Sequence, residues 1–271
     1  MKSVIAPQFD YIDKTEPIIV ERDRQHLKDS KCTEAETSDF CKLVGKLNWI
    51  ATQSRPDIAF DVSQLSSVMK SPVIENVLKA NKVLIRVKNN PMKIRFPKID
   101  LEKCFITCFS DASLGNLRNS QSSGGYVIFL QDHEGNSAPL SWRSKTLRRV
   151  VRSTLAAETS AMVDTLDTAF YLSAVLSEIL SSRSSETVPI HALTDNESLY
   201  RNAHSTTMAE ERRLRVDISI IKDMLSKEEI KSLKWLPAES QLADSLTKQG
   251  ADAKKLMCVL VSGKLDWKGF V

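Results

Sequence analysis

Apolar residues recur at helical spacing from Asp39 onward. Leu43, Val44, Leu47 and Ile50 form one stripe, which stops near Arg55 and Pro56. Ile58, Val62, Leu65 and Met69 begin a second. Ser71 before Pro72 predicts an N-cap with proline at the first helical position, and Val73, Val77, Ala80, Leu84 and Val87 supply the buried face of a third helix that ends at Asn89-Asn90-Pro91. These stripes read as core rather than as a binding groove. Residues 1–40, interrupted by Pro7 and Pro17 and carrying the charged stretch ERDRQHLKDSK, read as an irregular polar lead-in.

The period changes at Leu101. FITCFSDAS is a nearly continuous apolar run of the kind that forms a central strand buried on both faces, ending at Asp111. GGYVIFLQDHEGNSAPLSW reads as two strands joined by a turn over Asp132–Ser137. A long helix follows in STLAAETSAMVDTLDTAFYLSAVLSEIL, with Leu155, Met162, Leu166, Ala169, Leu176 and Leu180 on one side. A strand at VPIHALT, a short helix from Asp195, a helix over roughly Thr207–Leu225, a strand at IKSLKWL and a helix over about Ser240–Lys248 complete the series. Three strands, a long helix, then alternating strand and helix predict an α/β domain with a mixed sheet.

Composition narrows the class without deciding it. The 271 residues, 42% hydrophobic and 27% charged with only 8 Gly and 9 Pro, fit a globular chain and exclude collagen-like or low-complexity types. No stretch approaches a membrane span and the N-terminus lacks a secretory apolar core, so the chain reads as soluble and intracellular. Five scattered cysteines do not make a disulfide framework, and Cys104 and Cys108 on one strand face read as core. The histidines, His26, His133, His191 and His204, have no ligand partners at metal spacing. A net charge of +4 forces no polyanionic partner, but basic residues concentrate in Lys79–Arg95 and Arg143–Arg152. Either run could follow a phosphate backbone or form a solvated face.

Four carboxylates stand out. Asp111 could start a turn, Asp195 could cap a helix, and Asp244, four residues before Lys248, could make an exposed helical pair. Glu158 fits a bland account worst, because it falls between Leu155 and Met162 on the stripe its helix should bury. Taken together, the α/β reading puts Asp111 and Asp195 at the C-terminal ends of strands in one sheet, and Glu158 and Asp244 would project from helices packed beside those ends. Facing carboxylates repel unless cations neutralise them, and hard oxygen donors select Mg²⁺ or Mn²⁺. Two such ions about 3.5–4 Å apart suit nuclease or phosphoryl-transfer chemistry.

The segments SDAS, LAAE, TDN and LADSLTK, in that order after LVGKLNWIATQSRPDIAFDVSQLS, resemble the C-terminal part of the polyprotein of copia-type retrotransposons. WRSKTLRRVVRSTLAAE and STTMAEERRLRVDI are similar to the family's linking segments. The resemblance implies a ribonuclease H-like mixed sheet flanked by helices over residues 101–250, preceded by a helical thumb- or connection-like region over 41–100 and followed by a tail over 251–271. It implies an Asp-Glu-Asp-Asp metal site at Asp111, Glu158, Asp195 and Asp244, holding two Mg²⁺ or Mn²⁺ ions and cleaving the RNA strand of RNA–DNA hybrids. In that family pattern Asp111 is common to both ions, Glu158 and Asp195 complete one shell, and Asp244 holds the other. A reverse transcriptase palm in the parent polyprotein is the implied protein partner, and a retrotransposon particle in the cytoplasm or nucleus the implied setting.

Two departures bear on this. No Tyr-x-Asp-Asp polymerase motif, protease signature or integrase zinc site occurs, so polymerase activity does not carry over and the chain reads as a fragment. Relatives place a histidine shortly before the last metal-binding Asp, where it is associated with product release, whereas AESQLAD puts Ser240 there. Arg143, Lys145, Arg148, Arg149 and Arg152, ahead of the helix carrying Glu158, are the candidate phosphate contacts. The competing readings are a remnant that binds nucleic acid without cutting it, and a non-functional chain whose helices expose apolar surface.

Overall fold

The computed structural model describes residues 4–6, 8–181, 187–207 and 211–266. It divides into two units, one over Ile5–Ile94 and one that begins at Arg95.

The first unit is built on three helices, α1 (Glu34–Gln53), α2 (Ala59–Ser67) and α3 (Ile74–Asn89). Their stripes meet in one core that includes Phe40, Leu47, Ile50, Val62, Ile74, Val77 and Leu84. Helix α1 starts five residues before the expected Asp39, because Thr33 and Glu36 form a reciprocal capping box. The lead-in is also less irregular than expected, with short helices at Phe9–Asp13 and Arg22–Gln25. Pro72 does not open α3. Its carbonyl accepts the Cys32 amide and Val73 bridges Lys31, which keeps the segment extended until Ile74. Among the described residues Arg55 is the largest fully buried side chain, fork-paired with Asp57 at 2.8 Å through both Nε and Nη2 and donating to the carbonyls of Val87 and Asn90 at the end of α3.

In the second unit a five-stranded sheet comprises β1 (Phe105–Ser113), β2 (Ser123–Gln131), β3 (Ser137–Thr146), β4 (Ile190–Thr194) and β5 (Ser232–Trp235), in the order β3-β2-β1-β4-β5. The first three strands are antiparallel, whereas β4 and β5 join in parallel. Helix α4 (Thr154–Leu180) crosses from β3 to β4 and packs on β1, α5 (Glu197–His204) and α6 (Leu214–Ser226) connect β4 to β5, and α7 (Lys254–Ser262) follows. A mixed sheet flanked by helices is as the sequence predicts. Strand β1 is buried along nearly its whole length, with Ile106 and Cys108 packed against Met162 and Leu166 of α4.

Three local expectations are corrected. Strand β1 continues past Asp111 to Ser113, since Asp111 pairs with Gly125. The helix expected over 240–248 is absent: the chain makes two 3₁₀ turns, Ala238–Ser240 and Asp244–Leu246. Side chains take the backbone groups a helix would use, Gln241 accepting the Ala243 amide while Asn116 and Ser123 donate to the Thr247 carbonyl. The segment after residue 250 holds α7, whose Leu256, Val259 and Leu260 are buried, and Gly263 at φ 67° closes it in the left-handed conformation. Residues 208–210 of the helix expected over Thr207–Leu225, and 267–271 of the tail, lie outside the described residues.

Candidate active site

Asp111 lies two residues beyond Phe109, the last β1 residue paired with β4, and Asp195 is the first residue after β4. Both carboxylates therefore emerge where the parallel strands end. Asp195 is not the cap of α5. Asn196 takes that role, accepting the Leu199 amide at 2.8 Å, which leaves the aspartate for other work. Glu158 sits in the second turn of α4, whose N-cap Ser153 accepts the Ala156 amide. Its side chain faces the sheet and is 5% exposed, as its place on the apolar stripe requires. Oxygens of Asp111, Glu158 and Asp195 lie within 4.8 Å of one another.

Two adjacent glycines bring the surrounding chain this close. A Cβ on Gly124 would stand 2.7 Å from Leu147, and one on Gly125 would stand 2.7 Å from Leu246 and 3.1 Å from Thr247. Gly125 thus lets the segment carrying Asp244 rest on β2 beside Asp111. Thr247 donates its hydroxyl to Asp111, and Lys248 forms an ion pair with Asp244 and reaches to 4.0 Å of Asp111. Gln241, nearly buried, donates to the Ser110 carbonyl at 2.9 Å and to Asp195 at 3.3 Å. Asp244 stands apart from the close triad, paired with Lys248 and near enough to repel Asp111.

Burial pushes the Asp111 and Glu158 carboxyls well above the ordinary carboxylate range. Neighbouring acids push the same way, while Lys248 opposes the shift in both and the Thr247 hydroxyl opposes it at Asp111. Glu158 Oε2 is buried and accepts no hydrogen bond. A buried glutamate with one oxygen unpartnered, in a cluster of hard oxygen donors with no histidine or cysteine, fits a hard divalent cation. Sequence reasoning misses Gln241 and Thr247, and treats Lys248 only as half of a helical pair. All three lie within QLADSLTK, so the motif is visible in the sequence but the direction of its side chains is not.

The candidate phosphate contacts divide. Arg143, Arg148 and Arg152 are exposed, whereas Lys145 pairs with Asp164, and Arg149 lies 3.3 Å from Asp217. Arg143, Lys145, Arg148 and Arg149 line a cleft of about 610 Å³ with Ser160, Asp164 and Asp217. Of the other basic run, Lys79 pairs with Glu75 and Arg86 with Asp61, so both are engaged with acids of their own unit.

No family model matches the chain. It is 26% and 25% identical to the retrovirus-related Pol polyproteins from transposons RE1 and RE2 of Arabidopsis thaliana, each match covering 79% of this chain and 14% of the polyprotein. It is 30% identical to a transposon Ty5-1 protein of Saccharomyces cerevisiae over 46% of this chain and 37% of that one. The resemblance to retrotransposon Pol sequences therefore holds, and the chain spans about a seventh of the length of its Arabidopsis relatives. Among solved structures, RNase H1 of Halobacterium salinarum is 16% identical, covering 52% of this chain and 93% of that one with a TM-score of 0.38. A foamy viral protease-reverse transcriptase in complex with dsDNA is 17% identical, covering 56% and 97% with a TM-score of 0.36.

Proposed function

We propose that the chain is a divalent-metal-dependent endonuclease of ribonuclease H type that cuts the RNA strand of RNA–DNA hybrids. The observation that carries the reading is the convergence of buried Asp111 and Glu158 with half-buried Asp195, with one Glu158 oxygen left unpartnered. Such an arrangement costs folding free energy that only a cation or a proton relieves. Asp111, Glu158 and Asp195 would hold one Mg²⁺ or Mn²⁺, and Asp111 with Asp244 a second. When bound, two such ions stabilise the attacking and leaving oxygens of an in-line displacement at phosphorus.

The chain's own groups position this centre. Thr247 orients Asp111, Gln241 orients Asp195, and the cleft lined by Arg143, Lys145, Arg148 and Arg149 offers cations to phosphates, with Arg152 beside it in the same segment. Choice of a hybrid over duplex DNA would come from 2′-hydroxyl contacts on the RNA strand. On this reading the helical unit is a thumb- or connection-like region, a reverse transcriptase palm is its partner, and the setting is intracellular or a retrotransposon particle.

The test is incubation of the purified chain with a labelled RNA–DNA hybrid in Mg²⁺, Mn²⁺ or EDTA, beside duplex DNA and Asp111→Asn. RNA-strand cleavage that needs the ion and falls at least about 100-fold in Asp111→Asn is expected. A hybrid that binds but stays intact in both ions would replace this reading with that of a binding remnant.

A further inference from the structure

The acids of the centre differ in what already neutralises them. Glu158 Oε2 has no partner, and the Asp195 carboxylate accepts from the neutral amide of Gln241. Asp244 is instead ion-paired with Lys248, whose ammonium also stands 4.0 Å from Asp111. The base of this lysine is fixed, because Thr247 beside it is tied through its carbonyl to Asn116 and Ser123 and through its hydroxyl to Asp111. Its stem is not fixed. The Lys248 side chain is 45% exposed, so the ammonium can leave for solvent without unpacking anything.

Resting on the proposed metal-dependent reading, we infer that Lys248 is a tethered competitor for the second cation. The first ion enters the group Asp111, Glu158 and Asp195, which Lys248 meets only at Asp111 and no closer than 4.0 Å. The second meets an ammonium at the oxygens of Asp244 and Asp111 that it needs, and binds only as Lys248 swings out. The two ions therefore bind in sequence, with the second step the weaker, and removing the lysine tightens that step more than the first.

The experiment is calorimetric titration of the metal-free full chain with Mn²⁺, cross-checked by the electron paramagnetic resonance signal of free Mn²⁺. It compares wild type with Lys248→Ala, with Lys248→Met, which keeps most of the stem, and with Lys254→Ala. The last removes the same charge from a residue whose nearest acid is Asp252 at 3.8 Å. The expected result is two steps in wild type, the weaker tightened about three- to tenfold in both Lys248 variants, the range for a partly exposed charge pair. The stronger step and the Lys254 variant should stay within about twofold of wild type. If both Lys248 variants leave the weaker step unchanged or weaken it, the competitor role is wrong, whether or not hybrids are cut. If Mn²⁺ binds as expected and hybrids are never cut, the nuclease reading fails while the competitor role stands. Absence of any Mn²⁺ binding overturns both.

Discussion

Each unit of the molecule buries charge, and the two do so in opposite ways. In the helical unit Arg55 is buried with all three nitrogens of its guanidinium engaged, by both oxygens of Asp57 and by two carbonyls at the end of α3. In the sheet unit Glu158 is also buried, yet one oxygen has no partner and its charged neighbours in the triad are acids. A buried charge whose hydrogen bonds are complete belongs to the architecture, whereas one left incomplete and surrounded by like charge is held for something that binds. The Arg55 fork can lock α3 to the turn at Pro56 because it asks for nothing further. The Glu158 cluster is stable only while protonated or neutralised.

Breaking the complete set should have the largest effect on stability. Asp57→Ala strands a buried guanidinium and should cost about 3–5 kcal/mol, read as a lowered midpoint in urea denaturation. Hybrid cleavage per folded molecule should not change. A loss under about 1 kcal/mol would mean that the carbonyls of Val87 and Asn90 satisfy Arg55 without the carboxylate.

Changing the incomplete set should act in the opposite direction. The Glu158 carboxyl is held above its ordinary range by burial and by Asp111 and Asp195, so between that range and its folded value the native state holds a proton that the unfolded chain has lost. Its contribution is fully present in acid and is lost as pH rises through the folded value. In EDTA, Glu158→Gln should therefore raise stability on the order of 2 kcal/mol at about pH 9, give little at about pH 4, and flatten the slope between. Thermal melts across that range decide it. A destabilised variant at the alkaline end would show that Glu158 has found a cationic partner in solution.

The sequence carried much of this contrast, and its gaps have physical causes. Glu158 was legible because helical period alone put an acid on an apolar stripe, and the succession of strands and helices followed from the switch between periods two and 3.6. Arg55 was not, since nothing in RPDIAF distinguishes an arginine that turns inward onto carbonyls 32 and 35 residues away from one in solvent. The missed start of α1 lay in plain local signal, Thr33 and Glu36 at capping-box spacing. The mistaken helix over 240–248 shows the reverse: QLADSLTK has helical residues, but Gln241 and Thr247 spend their bonds on Ser110, Asn116, Ser123 and Asp111, contacts set by the tertiary fold.

The smallest expected effect concerns charges that are neither buried nor complete. Arg148 and Arg149 flank the cleft beside α4, both exposed, but Arg149 lies 3.3 Å from Asp217 whereas Arg148 forms no ion pair among the described residues. Asp217 is largely covered while Arg149 is exposed, and at 3.3 Å their pair is long, so a phosphate competes with Asp217 for the arginine and salt screens the contest. Removing one cation from a phosphate should reduce the slope of log K against log salt by about 0.7–0.9. Arg148→Ala should come close to that reduction, and Arg149→Ala should fall short of it because wild type must first give up Asp217. Asp217→Asn should strengthen hybrid binding at low salt by releasing Arg149. Cleavage of the saturated complex should survive all three, since none touches the acids of the centre. Fluorescence anisotropy of a labelled hybrid over roughly 50–300 mM salt, a range across which screening changes appreciably, gives the slopes. Equal slopes for wild type and both arginine variants would make this segment a solvated face and move the duplex track to another part of the surface.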